Sequence, residues 1–191
     1  MSFLTKGKTI LSAFAFIALT FASNANANSS SQKVIEQDSA IALFVLINQR
    51  LQYMPDVALY KAQNKLAIAN LDREKDVLAS VIKSSKLQGL EGNSVSHFFQ
   101  SQMDVAKAIQ YRYRADLLSA PIEKLAPDLN KTIRPILIKL SDEIVVKLGQ
   151  HIETYGKVNP SLREFFYQLI DHPYITKRDE QMLFDGLMKI R

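Results

Sequence analysis

The stretch SAIALFVLINQRLQY, residues 39–53, places Ile41, Phe44, Leu46, Ile47 and Leu51 at helical spacing. Arg50 falls on that same apolar side, following Leu43, Leu46 and Ile47. The pattern repeats downstream. Lys61 follows Val57 by four, and Arg73-Glu74 open a run that continues through Val77, Leu78, Val81 and Ile82. Unpaired charges facing a core are costly, so three cations placed in this way require a partner. Too few carboxylates lie nearby to neutralise them all, and an anionic ligand is the natural candidate.

Outward from this stretch the helical period persists, with few alternating β-branched runs. Pro55 interrupts the first helix, and Asp56 to Lys65 continues as a new or kinked one. Leu66 to Asn70 is a short connection. Asn70 can cap a helix from Leu71 to about Ser85, with Asp72 and Glu74 favourable in its first turn. Gly89 and Gly92 mark a turn. Asn93 or Ser94 starts the next helix, with Phe98, Phe99, Met103, Ala106, Ile109, Gln110, Tyr113 and Leu117 on its inner side. A long helix from about Pro127 to Tyr155 contains Pro135, which predicts a kink or boundary near Ile133. Asn159-Pro160 opens a short helix through Leu169, and Thr176 with Asp179 resembles a capping box before a final helix to Ile190. The fold class is all-α, a single helical-bundle domain of about six helices over residues 39–191.

The N-terminus reads differently. Lys6 and Lys8 form a basic start, Ile10 to Phe21 a short apolar run, and Ala25-Asn26-Ala27 a small-x-small cleavage pattern. Residues 1–27 are expected to be a cleaved secretory signal and residues 28–38 a flexible polar tail, which makes the protein exported, periplasmic or secreted. Removing Lys6 and Lys8 lowers the formal charge from +5 to +3, with the remaining charge spread along the chain. No basic stripe marks a nucleic-acid partner, and no stable membrane association is expected after cleavage. The absence of cysteine excludes disulfides, thiol catalysis and thiolate metal sites. His97, His151 and His172 fit no metal-ligand spacing and read as surface or helix-end residues.

No Ser-His-Asp set, nucleophile elbow, HExxH or Walker sequence is present. Asp142-Glu143 lie adjacent in a helix, point in different directions and read as solvent-facing. An enzyme with this residue set would work by positioning and by electrostatic stabilisation from fixed cations and hydrogen-bond donors.

Arg50, Lys61 eleven residues later and Arg73-Glu74 twelve beyond that resemble the all-helical chorismate mutases. Val57-Ala58-Leu59-Tyr60-Lys61, Leu71-Asp72-Arg73-Glu74-Lys75-Asp76-Val77-Leu78 and the stretch from Phe98-Phe99-Gln100-Ser101-Gln102 to Ala106 and Gln110 carry the likeness. It covers roughly residues 40–118, and the later half, including Asn130 to Pro135, is similar to the longer secreted subgroup. The resemblance implies rearrangement of chorismate, a dicarboxylate, to prephenate, with no cofactor and no metal. It also implies roles. Arg50 holds a carboxylate through its planar fork, and Lys61 reaches a carboxylate and the breaking ether oxygen. Arg73 lines the site beside the enolpyruvyl group, and Glu74 binds the ring hydroxyl. Gln110 donates to the ether oxygen opposite Lys61 and, unlike a glutamate, donates without having to be protonated. Ala106 stands where relatives often carry a hydroxyl, and Asn70 where several carry aspartate. Arg134, in Thr132-Ile133-Arg134-Pro135, is the candidate for a last site arginine supplied by the same chain. A homodimer through Phe165, Phe166 or Phe184 is a possible partner arrangement.

A non-catalytic alternative, an exported helical module that binds a small anion or another protein, fits the amphipathic helices equally well. It differs in what it needs. A protein-binding bundle turns its charges outward, and an anion sensor does not require Lys61 and Gln110 together.

Overall fold

The computed structural model describes residues 22–191. Residues 35–191 form one unit, and the packing and the cavity described below belong to it. The helices are α1 (Ala22–Gln52), α2 (Met54–Gln63), α3 (Leu71–Leu87), α4 (Gly92–Ser119), α5 (Arg134–Tyr155), α6 (Arg163–Leu169) and α7 (Lys177–Leu187). No strand occurs among the described residues, as the helical period requires. The expected export signal lies largely outside the described residues. The helix carrying Arg50 extends upstream of Ser39, where the apolar pattern begins.

Local signals set the element boundaries. Pro55 occupies the first turn of α2, where its missing N–H costs nothing, and Tyr53 separates this helix from α1. The Asn70 side chain accepts a hydrogen bond from the Arg73 backbone N–H at 2.9 Å and so starts α3. Gly89, at φ 70°, makes the turn into α4. A π-helical turn, Leu129–Ile133, precedes α5 and realises the boundary predicted near Ile133, with Pro135 just inside the new helix. The Asp128 carboxylate accepts from the N–H groups of Asn130 and Lys131 at 2.8 and 2.7 Å, satisfying donors that the turn leaves free. Asn159 caps the short turn before α6, and Thr176 with Asp179 forms the expected capping box of α7.

Helix α4 is the axis of the bundle, packing against α2, α3 and α7, while α5 lies along α3. The close approach of α5 to the end of α3 depends on Gly149. A Cβ there would stand 2.8 Å from the Gln88 Cβ, closer than packed carbons tolerate. Phe44 of α1 meets Phe166 edge-on at 5.0 Å and Phe184 at 6.4 Å, and all three rings are fully buried. Edge-to-face pairs of this kind add about 0.5–1.5 kcal/mol each beyond the apolar area they bury. This corrects the sequence reading of Phe166 and Phe184 as exposed candidates for dimerisation. Both are core, and of the three only Phe165 is exposed.

The histidines depart from the sequence reading too. His97 is exposed, but His151 and His172 are buried. His151 Nδ1 shares a 3.2 Å hydrogen bond with Ser39 Oγ, joining α5 to α1, while its Nε2 has no partner among the described residues. Burial holds its pKa below 6.5, against a smaller opposing effect of Glu36. The neutral ring is therefore the folded form. As pH falls below the unfolded value near 6.5, the unfolded chain takes up a proton that the folded one resists, and stability drops. His151→Phe keeps an aromatic ring beside Tyr155 and should reduce the fall in Tm between about pH 7 and 5. Thermal melts across that range test this, and an unaltered pH dependence would place the acid-sensitive group elsewhere.

Candidate active site

A cavity of about 210 Å³ opens between α2, α3, α4 and the start of α5, and every site residue named from the sequence lines it. Arg50 enters from the last turn of α1, Lys61 from the last turn of α2, and Asn70, Arg73 and Glu74 from the start of α3. Ala106 and Gln110, one turn apart on α4, form the opposite wall, and Arg134 closes one end from the first residue of α5. Apolar side chains, among them Met54, Val57, Val81 and Leu137, fill the space between these groups.

Arg50 is 5 % exposed, and its Nε and Nη1 atoms are buried without a hydrogen-bond partner among the described residues. Burial lowers its pKa to about 10, which leaves it charged at neutral pH. Its position at a helix C-terminus and the Phe99 ring, 6.0 Å away, offset part of the desolvation cost. The remainder is uncompensated, and Arg50 lines the cavity, where a planar guanidinium suits a carboxylate.

Lys61 is anchored. Its ammonium donates to the Ile68 carbonyl at 2.5 Å and to Gln110 Oε1 at 3.0 Å. Burial, followed by the like charge of Arg134, brings its pKa from 10.5 to about 8, with Glu74 acting in the opposite sense. Lys65 at φ 55° makes the tight turn after α2, and Arg114 donates to the Leu66 carbonyl at 3.0 Å, fixing the connection that carries Ile68. The Gln110 amide is held at both ends. Its oxygen accepts from Lys61, and its NH₂ donates to the Ala106 carbonyl at 3.1 Å and contacts Met54 Sδ at 3.5 Å.

Glu74 is paired with Lys107 at 2.9 Å, and Lys107 also meets Asp104 at 3.1 Å. Lys107 lines the cavity but is not singled out by the sequence. With Asp104 three residues before it, it reads as an ordinary solvent-face pair, and only the packing of α3 against α4 brings it to Glu74. Arg134 donates to Asn130 in the π-helical turn, which steadies the guanidinium at the cavity mouth. Five cationic and three anionic side chains line the cavity, an excess of two positive charges. No group of three or more acidic or histidine side chains able to hold a metal ion occurs among the described residues.

The sequence model of chorismate mutase type II matches residues 40–111, the stretch that supplies Arg50 through Gln110. A secreted chorismate mutase of Yersinia pestis is 34% identical over 146 residues, covering 76% of this chain and 78% of that protein. The chain belongs to the type II chorismate mutase family. A monofunctional chorismate mutase of Enterobacter agglomerans is 33% identical over 178 residues, 92% of this chain and 97% of that one. The crystal structure of the secreted Yersinia pestis chorismate mutase superposes with a TM-score of 0.73 at 33% identity, covering 78% of this chain and 96% of that one. The fold recurs at lower identity in the chorismate mutase of Burkholderia thailandensis, with a TM-score of 0.65 at 23% identity. Membership of the family extends past residue 111, since the second relative matches nearly the whole chain.

Proposed function

We propose that this chain converts chorismate to prephenate in the cavity between Arg50, Lys61 and Arg134. The observation that carries the reading is the buried Arg50 guanidinium, two of whose nitrogens lack a partner among the described residues, on a cavity that holds two more positive than negative side chains. A dicarboxylate supplies the missing charge. In the rearrangement the ether C–O bond breaks as a C–C bond forms within one molecule, so no proton moves. The enzyme's work is to hold the compact reactive conformer and to stabilise negative charge growing on the ether oxygen.

Arg50 takes one carboxylate through paired N–H donors, and Arg134 reaches the other from the cavity mouth, with Arg73 beside the enolpyruvyl group. Lys61 donates to the ether oxygen and to a carboxylate. Gln110 supplies the second donor once its amide turns away from the Ala106 carbonyl, which becomes favourable when Lys61 is engaged by substrate. Glu74 accepts the ring hydroxyl. Ala106 offers no hydroxyl, and Asn70 is occupied in capping α3, so both serve as wall rather than as donors. All these residues come from one chain, so each protomer carries a whole site. Export is supported by the sequence of the N-terminus and by the secreted relative.

Purified protein should deplete chorismate absorbance at nanomolar enzyme. No turnover at micromolar enzyme, with intact helical circular dichroism, would favour a binding protein instead. Arg134→Ala removes the cation supplied by α5 and should lower kcat/KM by about 10²-fold, because a half-exposed charge pair to substrate is lost. A variant with near-normal kcat/KM would remove Arg134 from the site.

A further inference from the structure

Lys107 and Glu74 stand 33 residues apart in sequence and meet across the α3–α4 contact. The ammonium bonds Glu74 Oε2 at 2.9 Å, while Glu74 Oε1 makes no hydrogen bond among the described residues. The pair is largely withdrawn from water, with side-chain exposures of 24% and 16%. Lys107 is itself held from behind. Asp104 lies 3.1 Å from its ammonium, and the Gln100 amide donates to the same Asp104 oxygen at 3.0 Å. A line of polar contacts thus runs along α4 and ends on one oxygen of the one carboxylate to which the site has a use for substrate.

We infer that Lys107 is a positioning residue that pins one oxygen of Glu74 so that the other stays turned into the cavity to accept the substrate's ring hydroxyl. The inference rests on the proposed chorismate mutase activity and deepens it by one residue. Its physical basis is twofold. A carboxylate bordering a pocket for a dianion repels the substrate unless a fixed cation neutralises it, and Lys107 supplies that cation without drawing on those that bind substrate. A released Glu74 also has an alternative partner in Lys61, the ammonium that must stay free for the ether oxygen. The two are close enough for Glu74 to raise the proton affinity of Lys61. Without Lys107 the carboxylate turns towards Lys61, and the site loses both the hydroxyl acceptor and its main electrostatic donor.

A double-mutant cycle separates this from a direct or merely structural role. Lys107→Met should lower kcat/KM by about 10- to 100-fold in the parent, the size of effect expected when a reacting group is misplaced. In a Glu74→Gln background, where no charge is left to pin or divert, the same substitution should cost less than about twofold. Lys107→Arg should retain most of the parent's activity, since a guanidinium can still hold the carboxylate. Thermal melts of each variant accompany the kinetics, and Lys107→Gln runs the same cycle should the methionine variant fold poorly. Equal losses in both backgrounds would show that Lys107 touches substrate or acts through the fold, and no loss in the parent would show that Glu74 needs no anchor. Either result overturns the inference while leaving the activity standing. A parent protein that does not turn over chorismate removes both.

Discussion

Lys61→Ala should lower kcat by roughly 10²- to 10³-fold, the usual cost of removing one preorganised donor to a developing oxyanion. In the proposed site the ammonium is the main donor to the ether oxygen, and its anchors, the Ile68 carbonyl and Gln110, keep it in place without neutralising it. Its pKa of about 8 adds a signature. Below that pH the side chain is charged and competent. As pH rises through about 8 the amine loses its proton in the free enzyme, and kcat/KM falls. Bound substrate carboxylates favour the charged form, so kcat should hold to higher pH than kcat/KM. Lys61→Arg keeps its charge through this range and should move the alkaline limb up towards the Arg50 pKa of about 10 at a reduced rate. Pre-steady-state and steady-state assays across pH 6–10 test both points. A Lys61→Ala variant within threefold of the parent, or an alkaline limb unchanged by arginine, would remove Lys61 from the chemistry.

Arg50→Met should separate activity from stability. Losing the carboxylate fork costs about 2–5 kcal/mol of transition-state stabilisation, with each 1.4 kcal/mol worth about tenfold in kcat/KM. The fold should gain. Two buried Arg50 nitrogens have no partner, and an unmet buried donor costs about 1–3 kcal/mol. A methionine follows the aliphatic stem of Arg50 and packs without that cost. In a chain of this size each kcal/mol recovered raises Tm by about 2–4 °C. A more stable, inactive variant is therefore the expected result, read by calorimetry and by chorismate turnover. A variant that is both inactive and less stable would mean that Arg50 holds the helices together, and its charge would need another explanation.

The helix ends were legible because their signals are local. Asn70, Asn159-Pro160 and the Thr176–Asp179 box each act within three residues, and the structure realises all three. The inward face was legible for a similar reason, since the helical period puts Arg50 with Leu43 and Ile47 whatever those residues later touch. Contacts between distant segments were not. The Ser39–His151 bond spans 112 residues, and nothing around His151 distinguishes a core ring from a helix-end one. Phe166 and Phe184 sit in amphipathic helices short enough that either face could be the buried one. They were settled by the arrival of Phe44 from the other end of the chain.

The sequence by itself determined that this chain is helical, where most of its helices end and which cations share the apolar side, with an anionic ligand as their natural candidate partner. Those properties follow from short-range periodicity, capping and the cost of burying charge. Only the tertiary structure decided how the cations are used. It left two Arg50 nitrogens without a partner among the described residues, braced Lys61 against Gln110, brought Arg134 to the cavity, and engaged Glu74 with Lys107. Whether a buried charge is neutralised by the protein or kept for a ligand depends on which side chains α3, α4 and α5 bring within about 3 Å of it, and that distance is set by packing between helices rather than by any one of them.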